Sequence, residues 1–383
     1  MSQKLIYLDY NATTPVDKRV LETMLPYFSE KFGNAASHTH AAGWTAKKAV
    51  DDAREQVSKL INCDAQEIIF TSGSTEAINL AVKGVFNAYS GKGKHIITYA
   101  TEHKAVLDTC KYLETLGAEV TYLPVNSEGL PDLQLLEKSI REDTILVCAM
   151  FANNETGVIF PVKEIAEIVH AKKSIFFSDA TQAVGKIMVD VQEEGIDLMC
   201  LSAHKIYGPK GVGALYVRRK NPRVTLTALI HGGGHERGLR SGTLNVTGIV
   251  GLGKACNIAA DEMWDDAQKL SILRTLLEQS LLDLGSVFVN GSQKQRMPHI
   301  TNLAFAVIKA DSLIAQLPHI ALAMGSACTS ALPETSHVLQ AMGRESLSLS
   351  SVRFSLGKYT TEEEIKTVTA DLSAVIKKMR SEA

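Results

Sequence analysis

The sequence has few cysteines, no CxxC pair and no long uninterrupted apolar run, and each of these absences excludes a class of protein. Its six cysteines in 383 residues show no regular spacing, which argues against a disulfide framework and against a zinc site. No charge-free stretch approaches the roughly 20 apolar residues that a membrane span requires. The N-terminus reaches Asp9 after a very short apolar run, so it lacks a signal-peptide core. We therefore expect a cytoplasmic protein that is not bound to a membrane.

The sequence also has almost no net charge. The formal value of −2 provides no general electrostatic attraction to nucleic acid, and we predict no direct binding to it. The short basic run Arg218-Arg219-Lys220 is interpreted as a solvated turn between strands. Hydrophobic residues make up 45% of the chain and charged residues 21%, as in an ordinary globular protein. Because chains longer than about 250–300 residues usually form more than one core, we predict two domains.

Short apolar runs alternate with segments of helical periodicity between about residues 65 and 220. The apolar runs predict strands at 67–71, 95–99, 118–123, 144–150, 174–178 and 198–202. The periodic segments predict helices at 76–88, 105–116 and 162–171. This alternation predicts an α/β domain, covering residues 16–258, in which helices flank a mostly parallel sheet.

The pattern changes after residue 258. A helix is predicted at 261–284, strands near 287–290 and 300–305, and an amphipathic helix at 361–379. We expect residues 259–383 to form a smaller α+β domain together with the N-terminal segment 1–15.

Unusual polar residues follow the predicted strands, at the sheet edge where α/β proteins bind ligands. A strand runs through a small-residue turn into a helix around Ser74 and Thr75. Backbone N–H groups at such a helix start, and the hydroxyls beside them, can bind a phosphate. The same residues could be an ordinary helix cap.

Asp179 and Lys205 each follow another apolar strand. Asp179 could be a turn former, or a carboxylate that pairs with a heterocyclic N–H⁺. A lysine in a desolvated site has a lowered pKa and can act as a Schiff-base nucleophile. A phosphate cradle, such an aspartate and such a lysine together indicate pyridoxal phosphate.

Six further segments, spread over nearly the whole chain, match the pattern of a known family. They are 7–15 (YLDYNATTP), 101–106 (TEHKAV), 153–157 (NNETG), 231–243 (HGGGHERGLRSGT), 325–331 (GSACTSA) and 351–357 (SVRFSLG). With them the sequence resembles the aminotransferase class V superfamily of fold-type I pyridoxal-phosphate enzymes and, within it, the cysteine desulfurases of the NifS/IscS type. The resemblance implies a large domain with a seven-stranded type of sheet, and a smaller domain that carries the loop of Cys328.

The resemblance implies a role for each residue that matches around the cofactor ring. Lys205 would hold the cofactor covalently, Asp179 would pair with the ring nitrogen, and Gln182 would lie near the ring hydroxyl. His103 would stack over the ring and transfer protons, although on sequence alone it could be a surface or capping histidine.

The resemblance also implies the groups that bind the phosphate and the substrate. Asn154 would contact the cofactor and the amino-acid substrate, and Arg353 would bind the substrate carboxylate. Thr243 would come from the other subunit of a homodimer, so that the two subunits share each site. The other implied phosphate ligands are Ser74, Thr75, Ser202 and His204.

Cys328 differs from the other cysteines in its surroundings. Free cysteines are usually small buried hydrophobes, and that interpretation suits Cys110, Cys148, Cys200 and Cys256, whereas Cys63 lies near a turn. Cys328 lies among Gly, Ser, Ala and Thr, a composition that favours an accessible loop. The resemblance implies that Cys328 is the nucleophile that receives the sulfur.

We therefore expect a cysteine desulfurase that converts L-cysteine to L-alanine and passes a Cys328 persulfide to an acceptor of iron–sulfur cluster assembly or tRNA thiolation. A selenocysteine lyase, a cysteine-sulfinate desulfinase and a class V aminotransferase use the same cofactor chemistry and remain alternatives. A non-catalytic binding protein is an alternative of another class. Family members that feed the cluster scaffold carry a longer C-terminal tail than this sequence, which stops at Ala383, so we expect weak scaffold binding.

Overall fold

The computed structural model describes residues 5–324 and 335–382. The strands within them are β1 (Ile6–Tyr7), β2 (Ile68–Thr71), β3 (His95–Tyr99), β4 (Glu119–Leu123), β5 (Thr144–Cys148), β6 (Ile175–Asp179), β7 (Leu198–Ser202), β8 (Gly213–Val217), β9 (Val287–Val289), β10 (Ile300–Phe305), β11 (Ile320–Ala321), β12 (Ala323–Met324) and β13 (Ser351–Ser355). The helices are α1 (Lys18–Met24), α2 (Pro26–Ser29), α3 (Ala41–Leu60), α4 (Ser74–Ala88), α5 (Lys104–Glu114), α6 (Leu133–Ser139), α7 (Val162–Ala171), α8 (Val246–Leu282), α9 (Ala310–Ala315), α10 (His337–Ala341), α11 (Glu345–Ser348) and α12 (Glu362–Ser381). No helix of this described part combines the length and apolar character needed to cross a membrane.

The predicted α/β fold is confirmed by a seven-stranded sheet in the order β2-β8-β7-β6-β5-β3-β4. Strands β3 to β7 pair in parallel, and β8 lies antiparallel between β2 and β7. Successive side chains of a strand point to opposite faces of the sheet, and both faces are buried here. In β7, for example, Met199 and Leu201 join one hydrophobic cluster, while Leu198 and Cys200 join another.

A smaller antiparallel sheet has the order β12-β13-β10-β9. Its apolar face packs with the C-terminal half of α8 and with α12 in a separate cluster. The N-terminal segment contributes Ile6 and Leu8 to the same cluster. This packing supports the assignment of residues 1–15 and 259–383 to one domain, which stays a prediction.

Helix α8 begins at Val246, so the predicted start at residue 261 was wrong. Three glycines at 248, 251 and 253 weaken the helical pattern there, but packing overrides this weak intrinsic preference. A Cβ on Gly253 would lie 2.6 Å from Ala53 Cα, so glycine lets α8 approach α3 closely. The helix consequently crosses residue 258 and contributes to both the large and the small cluster.

Arg218 departs from the solvated turn predicted for the basic run Arg218-Arg219-Lys220, because its side chain is buried. Its guanidinium donates to the carbonyls of Ile196 and Val191 and lies 3.2 Å from a carboxylate oxygen of Asp197. These acceptors compensate for the loss of water around the charge.

Helix α8 provides a test of the smaller core. Leu277 is fully buried in it, whereas Ile272 on the same helix is 69% exposed. We predict that Leu277→Ala lowers the free energy of unfolding by about 2–5 kcal/mol through the cavity it leaves. Ile272→Ala, the matched control, should change it by less than about 0.5 kcal/mol. Denaturant titration measures both, and equal effects would contradict the packing described here.

Candidate functional site

A cavity of about 570 Å³ lies at the carboxyl ends of the large sheet. It brings together most of the residues that the sequence predicts for the site, namely Ser74, Thr75, His103, Asn154, Asp179, Gln182, Ser202, His204, Lys205 and Arg353. Thr243 is exposed and does not line this cavity within the described chain. Cys328 lies outside the described residues.

One wall of the cavity is the start of helix α4. Gly73 is the N-cap residue, has a positive φ of 151° and gives the helix no side-chain cap. The alternative that Ser74 or Thr75 caps the helix is therefore wrong, because both lie in its first turn. Uncapped N–H groups and the positive end of the helix dipole favour an anion at this point. The hydroxyl of Ser74 lies 2.6 Å from that of Thr181.

Asp179 ends strand β6 and is only 7% exposed. Its Oδ1 accepts hydrogen bonds from the backbone N–H of Thr181 at 3.0 Å and from the thiol of Cys200 at 3.2 Å. Both described bonds use the same oxygen, so Oδ2 is available to a group in the cavity. Asp179 is thus a fixed carboxylate with one oxygen for a cationic N–H donor.

Lys205 follows β7 through one turn of 3₁₀-helix. Its ammonium donates to the backbone carbonyls of Asn11 and, at 2.8 Å, Ala12. Burial, together with the positive charge of Arg353, lowers the pKa of Lys205 to about 8. Burial and the charge of Lys205 also lower the pKa of His204 to about 4, so this imidazole is neutral at pH 7.

Arg353 lies in β13 and is 4% exposed. It donates to the carbonyl oxygen of Asn154 at 3.0 Å and to the carboxylate of Asp9 at 2.7 Å. Its Nε is buried and has no hydrogen-bond partner in the described part of the chain. Arg353 lines the cavity, where the terminal N–H groups of its guanidinium suit a carboxylate ligand.

His103 lines the cavity and also caps helix α5. Its Nδ1 accepts a hydrogen bond of 3.1 Å from the backbone N–H of Ala105. In the neutral ring, Nε2 therefore carries the proton. The two interpretations of this histidine, helix cap and site residue, are compatible.

Asn11 is the site residue for which sequence analysis assigned no role. It is 1% exposed, and its backbone carbonyl accepts hydrogen bonds from Lys205 and Gln182. Its side chain donates to the carbonyl of Asn154 at 2.9 Å and lies 3.1 Å from Nε2 of His299. The only signal in the sequence was its place in the segment 7–15.

The cysteines that the structure describes share a raised thiol pKa. Burial is the main cause in each case, and the pKa of Cys110 and Cys256 rises to about 12. The others with a raised pKa are Cys63, Cys148 and Cys200. None of these five is a thiolate at neutral pH, so none is suited to nucleophilic attack.

Comparison with known sequences agrees with this geometry. Residues 6–368 match the family model described as aminotransferase class-V. Cysteine desulfurase IscS of Dechloromonas aromatica is 52% identical over 99% of this chain and 94% of its own. Cysteine desulfurase IscS of an Anaeromyxobacter species is 54% identical over 98% of this chain and 93% of its own.

Comparison with solved structures points to the same group. A structure titled NifS-like protein superposes with a TM-score of 0.91 and is 40% identical. The match covers 97% of this chain and 99% of that one.

The lowered pKa of Lys205 generates a prediction. In a brief acetylation pulse of the cofactor-free protein, only the neutral amine reacts, so Lys205 should be modified with a midpoint near pH 8. Arg353→Met should move this midpoint to higher pH, because the substitution removes a positive charge that opposes protonation. Peptide mass spectrometry across a pH series measures the modified fraction. Arg141→Met, which removes a surface arginine paired with Asp143, is the control; an unmoved midpoint in Arg353→Met would contradict the assignment.

Proposed function

The chain belongs to the aminotransferase class V family, and we propose that it is a cysteine desulfurase. It takes sulfur from L-cysteine, releases L-alanine and leaves a persulfide on Cys328. The observation that carries the proposal is the meeting of Lys205, Asp179 and Arg353 at one cavity beside the start of helix α4. The similar proteins named cysteine desulfurase favour this substrate over the other substrates handled by the same cofactor chemistry.

The cofactor is pyridoxal 5′-phosphate, and the cavity fits its functional groups. The uncapped start of α4 suits the phosphate, with Ser74, Thr75, Ser202 and His204 beside it. The free oxygen of Asp179 suits the ring nitrogen, and the amine of Lys205 suits the aldehyde. His103, Gln182 and Asn154 line the space between them. When bound, the cofactor supplies an electron sink for the substrate Cα.

Lys205 is the base that removes the Cα proton of the substrate. Its lowered pKa provides the neutral amine that proton removal needs. The carbonyls of Asn11 and Ala12 then accept hydrogen bonds from the ammonium that forms. Arg353 and Asn154 hold the substrate amino acid, Arg353 through the carboxylate.

Cys328 is the nucleophile, and His103 moves the protons. The thiolate of Cys328 attacks the substrate sulfur, so that an S–S bond forms while the Cβ–S bond of the substrate breaks. The remaining three-carbon fragment takes up one proton at Cβ, regains at Cα the proton that Lys205 removed, and leaves as alanine. Nε2 of His103 is the atom that exchanges protons with the thiols, since Nδ1 is held by the helix cap.

The enzyme acts as a homodimer with shared sites. Arg240 pairs with Glu76 of helix α4 at 2.8 Å, so the run before Thr243 lies beside the first turn of that helix. Thr243 itself is exposed and would contact the phosphate in the other subunit. Exposed apolar residues near the N-terminus, Leu25, Phe28, Phe32 and Trp44, support a subunit interface there.

The persulfide passes to a sulfur-acceptor protein of iron–sulfur cluster assembly or of tRNA thiolation. Such transfer needs a reducing compartment, because free thiols persist there. We therefore place the enzyme in the cytoplasm.

The activity is tested by incubating the enzyme with L-cysteine and a reductant and measuring sulfide and alanine together. Lys205→Ala should lose roughly a thousandfold or more of the turnover, because it removes both the base and the covalent link to the cofactor. Cys328→Ser should keep the cofactor and its spectral response to cysteine but form no persulfide. A persulfide found on Cys63 in the wild type would overturn the assignment of Cys328.

The shared site is tested by mixing two inactive variants. Lys205→Ala and Thr243→Ala subunits form heterodimers in which one site lacks both groups and the other is intact. Activity should recover in part after subunit exchange. A strictly monomeric enzyme with full activity, measured by light scattering at the assay concentration, would rule out the shared site.

A further inference from the structure

A second lysine contacts the cavity wall from behind. Lys186 does not line the cavity, but its Nζ donates a 3.0 Å hydrogen bond to Oε1 of Gln182, four residues earlier. Gln182 is 5% exposed and lines the cavity. None of the roles described above involves Lys186.

The neighbours of Gln182 determine which way its amide points. Lys186 donates an N–H to the amide atom beside it, so that atom is the oxygen of the amide. On the other side, Nε2 donates a 3.1 Å hydrogen bond to the backbone carbonyl of Asn11, which can only accept. Both neighbours require the same orientation, and the second hydrogen of the Gln182 amide remains for a group in the cavity.

Few negatively charged groups stabilise the ammonium of Lys186. Burial, together with the positive charges of Lys205 and Arg353, lowers its pKa to about 7. A cavity of about 20 Å³ separates it from Asp266 and also contacts His299, whose pKa burial lowers well below its usual value. Replacing a buried charge by an apolar residue is often neutral or stabilising, so stability alone does not explain Lys186. We attribute its presence to its contact with Gln182.

We propose that Lys186 is a positioning residue, which locks the Gln182 amide with its N–H directed at the oxygen substituent of the bound pyridoxal ring. The inference rests on the function proposed above and deepens it. Without Lys186, Oε1 of Gln182 loses its donor, and the bond from Nε2 to the carbonyl of Asn11 alone holds the amide in place. A less firmly held amide makes a weaker hydrogen bond to the ring oxygen.

The test compares Lys186→Met with Lys186→Arg in the full-length enzyme. Equilibrium dialysis measures the affinity for pyridoxal phosphate, and the absorbance spectrum of the bound cofactor reports on its ring oxygen. Lys186→Met should bind the cofactor about tenfold more weakly, with a shifted absorbance maximum, because a hydrogen bond to a charged group is lost. Lys186→Arg keeps a cationic donor and should recover most of the affinity. Lys163→Met removes an exposed lysine that pairs with Glu193 and is the control for charge alone.

A double-mutant cycle separates positioning from a general structural role. In a Gln182→Leu background, Lys186→Met should weaken binding by less than about twofold, because there is no amide left to orient. An equal loss in both backgrounds would overturn the proposal, as would a wild-type spectrum and affinity in Lys186→Met.

A second variant keeps the lysine in place. Gln182→Glu retains an oxygen for Lys186 but removes the N–H. It should therefore weaken cofactor binding as Lys186→Met does. Unchanged binding would contradict the proposal even if Lys186→Met fails to fold. If the wild type binds no pyridoxal phosphate, the proposed function itself fails.

Discussion

The path of the N-terminal segment through the site is the constraint on which the rest of the active centre depends. Asn11 contacts Lys205, Gln182 and the loop of Asn154 with one carbonyl and one side-chain amide. Its own N–H donates to the hydroxyl of Ser355. Elements separated by hundreds of residues therefore hold a common geometry because they share one buried polar residue.

The site also concentrates positive charge: besides burial, the charges of Lys205 and Arg353 lower the pKa of Lys186, and the charge of Arg353 lowers that of Lys205. Few carboxylates oppose them: Asp9 pairs with Arg353, and Asp179 presents a single free oxygen. Backbone carbonyls and the amide oxygen of Gln182 accept hydrogen bonds from these cations without neutralising the charge. An anionic ligand is therefore attracted to the cavity, and a neutral amine is available there near neutral pH.

Much of this arrangement could be predicted, because strand ends in an α/β sheet converge on one edge. Asp179 and Lys205 were identified on that basis, and the structure brings them to one cavity. The roles of Asn11 and Lys186 could not be identified in this way. Asn11 meets Lys205 across 194 positions of sequence, and Lys186 acts through the orientation of another side chain. Contacts of these kinds leave no periodicity or spacing in the sequence.

Helix α8 has a consequence for how the molecule loses its structure. The N-terminal part of the helix belongs to the large core and the C-terminal part to the small one, so neither core can melt without fraying a helix that the other requires. Because propagation along a helix is cooperative, thermal unfolding of the two halves should be coupled into one calorimetric transition. A proteolytic cut within α8 would damage both halves at once and would not release two stable fragments.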